Sequence, residues 1–504
     1  MAPRELVSPA LHRLPRFVWA ALAGVAILLA HAPSFAHTLL DGDEAIYGSI
    51  AALMNMGDPL YGSGGVDNKP PGVFWVYALT FRAFGTYQMT AVHAVGFAAL
   101  AATCCLIFLL ARSLAGTRAG LLASLFYGVL TAAGNPRLLA SNTEIFMMLP
   151  LVASVLLTLR RQWFWSGVLM VAAGAFRQSA AIDLVLSGFA ILWLEPKGSR
   201  WHAAAQLAGG LIAGLAAGAA AVAATGSLGG FWRWTVGSLY GYASNNWNPG
   251  LVLSRAQDSL VPFVFYMSVF WVAAVAWAVR WRSLDARERL MVVWLVVGMG
   301  GSLAGGHLSW HYFIQAMGPL AVLAAIAFDR IHLRRLAVVA AAAGILIPAA
   351  AWWSYDMRAD PLTYDSTPPP QDVAVAAYIH DHTAASDRVF VWGVWPALYV
   401  ESDRVMASRF PGFLRGFARG SGLPPDNWDT TPDVWPLLMA DLAANPPALI
   451  VDTAPAGWSS FTDYPMSDYP VLATLVAARY HQVATIDGVV IYARNGSSQL
   501  SGAA

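Results

Sequence analysis

Charge is nearly missing from this chain. Only 12% of its 504 residues are Asp, Glu, Lys or Arg and 57% are hydrophobic, against roughly 25% charged in a typical soluble domain. That balance excludes an ordinary soluble enzyme and indicates an integral membrane protein. The 30 basic and 29 acidic residues almost cancel, and a net charge of +1 offers no general attraction to a polyanion. No basic stripe is interleaved with stacking aromatics, so nucleic acid is not expected as a partner. Cysteine is almost absent as well. Cys104 and Cys105 are neighbours inside an apolar run, where a disulfide between them would be badly strained. No disulfide framework exists, so any part outside the membrane folds on its own core.

What fills the sequence instead is long apolar runs, beginning near residues 17, 88, 119, 143, 163, 180, 203, 260, 290, 312 and 336. They predict about eleven transmembrane helices of about 17 to 25 residues each. The N-terminus, with Arg4, Arg13 and Arg16 before the first run and small residues up to His37, has the outline of a secretory signal. The length of that run and the polar set after it favour a retained span. Alternate loops carry Arg112 and Arg118, Arg160 and Arg161, Lys197 and Arg200, the cluster from Arg280 to Arg289, and Arg330, Arg334 and Arg335. By the positive-inside rule these loops and the N-terminus are cytoplasmic, in a bacterial plasma membrane. An odd helix count then exports the C-terminus. From about residue 353 the chain becomes Pro-rich and charged. Val389–Trp392, Ala448–Val451 and Val489–Tyr492 read as short buried strands, with helical spacing near Val373 to His380 and Val434 to Ala444, hence an α/β domain. The Ser- and Gly-rich tail after Asn495 reads as disordered.

The polar residues between the first two runs carry the functional signal. Asp41-Gly-Asp-Glu44 has the spacing of a helix cap, and Ile46, Ile50, Leu53 and Met54 continue at helical spacing, so a helix lying along the membrane surface begins there. Capping alone accounts for the acids. Lys69, in Asn68-Lys-Pro-Pro71 at the start of another helix, opposes the helix dipole and makes better sense if a phosphate binds there too. On the same side lie Asn135-Pro-Arg137 and Ser141-Asn-Thr-Glu144, the latter with capping-box spacing. His307 and His311 are four apart beside Trp310 and Tyr312, but no third ligand follows at a metal-site spacing; neither a metal nor any other cofactor is expected. Arg177 and Gln178 lie at an apparent helix junction, polar groups placed to face a cavity. The Trp-, Tyr- and Asn-rich stretch from Phe231 to Trp247, with Arg233, suits either the bilayer surface or a sugar.

Together, Asp43-Glu-Ala-Ile-Tyr47, Gly57-Asp58-Pro59 and Asn68-Lys-Pro-Pro71 with Phe84-Gly85 resemble the first extracytoplasmic loop of glycosyltransferase family 39. That family includes protein O-mannosyltransferases and the aminoarabinose transferases that modify lipid A. Thr143-Glu144-Ile-Phe-Met and His311-Tyr-Phe-Ile-Gln315 are similar to later stretches of its bacterial members. The resemblance implies a C-type glycosyltransferase fold, a polyprenyl-phosphate sugar donor and an inverting transfer, with Asp43 as the catalytic aspartate and Lys69 near the lipid phosphate. Lipid A modifying members often have Glu before that lysine; Asn68 departs from them.

The expected organisation is a polytopic α-helical transmembrane domain over 1–352 with its first extracytoplasmic loop at 40–87, an extracytoplasmic α/β domain over 353–495, and a tail at 496–504. Asp43 and Glu44 are the candidate catalytic carboxylates, and Lys69 and Arg137 the candidate phosphate ligands. Tyr47, Asn68, Glu144, Arg177, His311 and Tyr312 are candidate substrate contacts. The expected partners are a polyprenyl-phosphate-linked sugar, membrane lipid, and an acceptor lipid, polysaccharide or protein. A flippase of lipid-linked sugars, a polymerase or ligase of lipid-linked glycans, and a glycan-binding module on a membrane anchor are the alternatives. The polar residues gather at one face rather than through the midplane, and no inverted repeat is visible, which disfavours transport.

Overall fold

The computed structural model describes residues 15–237, 239, 247–331, 335–363, 372–412 and 434–496. The tail from 497, much of the stretch from Phe231 to Trp247, Arg4, Arg13 and Arg334 lie outside the described residues. The first half is helical: α1 (Arg16–Ala30), α2 (Gly42–Asn55), α3 (Gly72–Phe84), α4 (Met89–Ala115), α5 (Thr117–Leu130), α6 (Thr143–Leu159), α7 (Trp163–Gly174), α8 (Leu184–Leu194) and α9 (Arg200–Thr225). Ala286–Leu303, Ile314–Arg330 and Arg335–Asp356 are the main helices that follow.

This is a multi-pass membrane protein. Among the described residues, α4, α9, Trp310–Arg330 and Leu336–Asp356 are long and apolar enough to cross a membrane, and the pair Pro249–Tyr266 and Ser268–Ala278, bent by 73°, makes a fifth if taken as one span. The other apolar runs form shorter helices, such as the 12 residues of α7. Twelve residues rise only about 18 Å, against about 30 Å of hydrocarbon. Breaks such as the one between α7 and the 3-10 turn Gln178–Asp183 divide several of the runs read as spans in the sequence.

The bundle closes around Trp310–Arg330, which is almost wholly buried. Its C-terminal Arg330 pairs with Glu288 and donates to the Leu114 carbonyl at 2.9 Å. Helices α7 and α9 approach most closely, backbone to backbone, at small residues. A Cβ at Gly210 would lie 1.9 Å from the Phe164 carbonyl oxygen, and one at Gly167 2.5 Å from that of Leu207. Small residues at such crossings let dispersion contacts form where lipid offers no hydrophobic drive.

The C-terminal part contains a five-stranded sheet of β1 (Arg388–Trp392), β2 (Val405–Met406), β3 (Leu449–Asp452), β4 (Tyr480–Ile486) and β5 (Val489–Arg494), in the order β2-β1-β3-β5-β4. β1 runs parallel to β2 and β3; β5 is antiparallel to β3 and β4. β4 and β5 meet at Asp487-Gly488, both at positive φ, the preferred chemistry for a two-residue hairpin. A register shift interrupts β4 between Gln482 and Ala484. Side chains alternate across the sheet: Val389, Val391, Leu449, Val451 and Ile491 share a core with α2, while Phe390, Trp392 and Ile450 pack with Leu438 and Leu472 on the other face. Helix α2 is thus covered by the sheet's short helix Ala397–Glu401 and by α3, with most of its residues from Glu44 to Met54 buried. It is enclosed by protein on most sides. The Val66 amide donates to the Arg409 carbonyl at 3.0 Å and the Tyr87 hydroxyl to that of Arg404 at 3.3 Å, tying the 56–88 segment to the sheet.

Gly210→Val should force α7 and α9 apart and cost about 2 kcal/mol, seen as a lower thermal midpoint of the purified protein. Gly218→Val, where a Cβ meets nothing within 4 Å, should leave that midpoint in place.

Candidate active site

Asp41 begins the site because it caps α2, accepting from the Asp43 amide at 3.5 Å. That cap fixes the first turn of the helix, and a helix advances about 100° per residue, so Asp43 and Glu44 leave it in different directions. Asp43 is half-buried and meets the charge set: its Oδ2 lies 3.6 Å from Lys69 Nζ, 3.2 Å from the Tyr47 hydroxyl that donates to it, and 3.9 Å from His311 Nε2. Tyr47 stands one turn along the same face of α2.

Glu44 is instead fully enclosed. Its oxygens accept from the Leu40 amide at 2.7 Å and the Ser141 amide at 2.6 Å, and His93 Nε2 lies 3.2 Å away. Expected beside Asp43 as a reacting carboxylate, Glu44 is a tie between α2, α4 and the segment before α6.

The other groups come from distant parts of the chain. Arg137, in the 3-10 turn Pro136–Leu138 that Asn135 caps, lies 3.8 Å from Asp41 Oδ1. Asn142 donates to Asp41 Oδ2 at 2.9 Å. Helix α6 starts after Asn142, and the capping box read from Ser141 and Glu144 does not form. The Ser141 hydroxyl donates to the Val92 carbonyl, while Glu144 pairs with Arg177, whose guanidinium lies 3.6 Å from the ring centre of Tyr312. His311 and Tyr312 sit on the turn Trp310–Phe313. His311 Nδ1 lies 3.5 Å from Asp41, and its Nε2 lies 4.0 Å from Glu144. Asn68 enters through its carbonyl, which accepts from Gln178 at 2.7 Å. The ten candidate residues therefore converge around Asp43, Glu44 as a buried support. Sequence reading gave Asp41 only a capping role and missed Asn142; the signal was there in Asp41-Gly-Asp, two acids close enough to share counter-charges.

The two aspartates have different electrostatics. Burial raises the Asp41 carboxyl above its usual range and the neighbouring Asp43 charge adds to this, against Arg137, His311 and the Asn142 hydrogen bond. Burial pushes Asp43 the same way, but Lys69, then His311, the Tyr47 hydroxyl and Arg137 overcome it and hold that carboxyl well below the usual range. One ligand atom each from Asp41, Asp43 and His311 lie within 4.8 Å of one another, so these three could hold a divalent cation. The further ligands that His311 lacks in local sequence come from the start of α2, Asp43 in its first turn and Asp41 as its cap. His307 bonds Ser309 instead.

Residues 68–222 match the family model described as Dolichyl-phosphate-mannose-protein mannosyltransferase. No curated protein matches in sequence. ArnT from Cupriavidus metallidurans bound to undecaprenyl phosphate superposes with a TM-score of 0.61 at 14% identity, over 95% of this chain and 98% of that one. The Archaeoglobus fulgidus oligosaccharyltransferase in its apo form gives 0.57 at 11% identity, over 97% and 76%. Its complex AglB with an inhibitory peptide and a dolichol-phosphate gives 0.53 at 11%, over 96% and 75%. This chain has the C-type glycosyltransferase fold. The resemblance to glycosyltransferase family 39 seen in the first loop holds at the level of that fold and of the matched segment. Within the matched segment lie Lys69, Arg137, Glu144 and Arg177; Asp43 and His311 lie outside it.

Glu44→Ala should strand the Leu40 and Ser141 amides and His93, costing about 3 kcal/mol or more and lowering the thermal midpoint clearly. Glu44→Gln, which keeps one acceptor oxygen, should cost less; equal midpoints for wild type and Glu44→Ala would remove the tie.

Proposed function

We propose that the protein is a membrane glycosyltransferase that moves a sugar from a polyprenyl-phosphate donor to the hydroxyl of an extracytoplasmic acceptor, with inversion. The observation that carries this reading is the pairing of Asp43 with Lys69 at 3.6 Å, a base and a cation side by side, with Arg137 on the adjoining Asp41. The lipid phosphates named with the superposed ArnT and AglB structures support the donor class.

In this scheme the acceptor hydroxyl gives its proton to Asp43 as its oxygen attacks the anomeric carbon from the face opposite the phosphate. The bond from that carbon to the phosphate oxygen breaks, and the lipid phosphate leaves with the electron pair. It leaves as an anion, so it needs cations rather than a dedicated acid, and Lys69 and Arg137 supply them. Glu144 is placed to stabilise oxocarbenium character at the sugar, and Arg177, Tyr312, His311, Tyr47 and Asn68 line the substrates. Glu44 positions the loop. In the free protein Lys69 holds the Asp43 carboxyl down; a donor phosphate that draws Lys69 away makes Asp43 a stronger base when its substrate is present. Residues 1–352 form the catalytic membrane unit, and the 353–495 region above the first loop contributes to acceptor choice. The N-terminus is cytoplasmic and the C-terminal region is exported.

Asp43→Asn should lower turnover about 10²- to 10⁴-fold with little change in donor binding. Proteoliposomes given radiolabelled polyprenyl-phosphate sugars report this as label released from the lipid to an acceptor or water. Label that changes leaflet equally in wild type and Asp43→Asn, without release, would make the protein a flippase.

The pH dependence follows from the depressed Asp43 carboxyl. A base is lost as pH falls through its pKa, so the acid limb of kcat/KM for the free protein should lie below the ordinary carboxylate range. Lys69→Met removes the first of the groups that hold Asp43 down, and the limb should move to higher pH. A limb that stays in place would separate Lys69 from Asp43.

A further inference from the structure

Between α7 and α8 the chain carries polar residues with no place in the reaction scheme. Asp183 is fully buried and lies among apolar helices, where a carboxyl group is costly and calls for a partner and a use. Gln315 supplies the partner: its Nε2 donates to Asp183 Oδ2 at 2.6 Å and to the Ser179 carbonyl at 3.2 Å, while its Oε1 accepts from the Ser179 hydroxyl at 2.8 Å. Three hydrogen bonds fix the amide, since turning it over would set its oxygen against the Asp183 carboxylate and the Ser179 carbonyl, acceptor against acceptor. Room for it comes from Gly301, where a Cβ would stand 2.4 Å from Gln315 Nε2.

The segment so held touches the site on both sides. The Gly72 amide donates to the Ala175 carbonyl at 2.8 Å and Gln178 to the Asn68 carbonyl at 2.7 Å, so residues 175–178 dock on the loop that carries Lys69. Gln315 lies one helical turn from His311 and Tyr312. Arg177, between the two anchors, reaches Glu144 and stacks on Tyr312.

We propose that Asp183 and Gln315 are positioning residues that lock the 175–183 segment between the Lys69 loop and the His311–Tyr312 turn, and thereby fix the Arg177 guanidinium in the donor site. This rests on the transferase reading for what Arg177 meets. The lock differs from general stability in acting through one side chain.

A double-mutant cycle on binding of radiolabelled undecaprenyl phosphate to the full-length protein in nanodiscs tests it. Asp183→Leu and Gln315→Met should each weaken binding about tenfold in the wild-type background, but less than about twofold when Arg177 is already Ala. Asp183→Asn, whose amide oxygen still accepts from Gln315, should bind within about twofold of wild type. Should Asp183→Leu fail to fold, Gln315→Met decides alone. Equal losses in both backgrounds, or wild-type binding by Gln315→Met, would overturn the lock. A wild type that binds the lipid but transfers no sugar removes the transferase and leaves the lock to the cycle; one that does not bind it removes both.

Discussion

Asp41, Asp43, Glu44 and Glu144 are gathered where helix ends meet in a chain with little charge to compensate them, and the need to satisfy these carboxylates organises the structure around them. Each draws its partners from a different part of the sequence: Arg137 and Asn142 to Asp41, Lys69 and Tyr47 to Asp43, two backbone amides and His93 to Glu44, Arg177 to Glu144. His311 stands among three of them. Apolar packing holds the helices together but is non-directional; the charge pairs and hydrogen bonds specify how the loops at their ends meet. Buried ionic groups of this kind are weak contributors to stability, which is consistent with their serving a site.

The sheet acts on the same residues from the other side. By burying one face against α2 and holding the 56–88 segment through Val66 and Tyr87, it encloses the helix whose first turn bears Asp41 and Asp43. Asp43 retains partial access while Glu44 has none. A single turn of helix thus carries one partly accessible carboxylate and one that is fully enclosed.

Much of this was legible in sequence because the key pair is local. Asp43 at the start of α2 and Lys69 just before α3 fall in one polar stretch between two apolar runs, and the cation's awkward place near a helix start pointed to an anion. Arg177 and His311 could be singled out as polar groups at apolar junctions, but their meeting at Glu144 depends on how the helices pack. The capping box read at Ser141 and Glu144 failed for that reason: Arg177, 33 residues on, takes the carboxylate that a local rule assigned to the helix. The breaks within the apolar runs were not legible either, since hydropathy registers apolar runs and not the breaks inside them. In the sheet, β1, β3 and β5 fall on three continuous apolar runs. β2 has only two residues, and β4, with His481 and Gln482 exposed, lacks such a run.

Those same two strands are the sheet's margins. An open sheet presents unpaired amides and carbonyls along its outer strands, and another chain can add there. Here one margin is two residues long and the other is broken by the irregularity at Gln482 and Ala484, so neither offers a flat, continuous template. For a protein confined to two dimensions in a membrane, where identical copies meet often and in similar orientation, that geometry favours solitary sheets over chains of them.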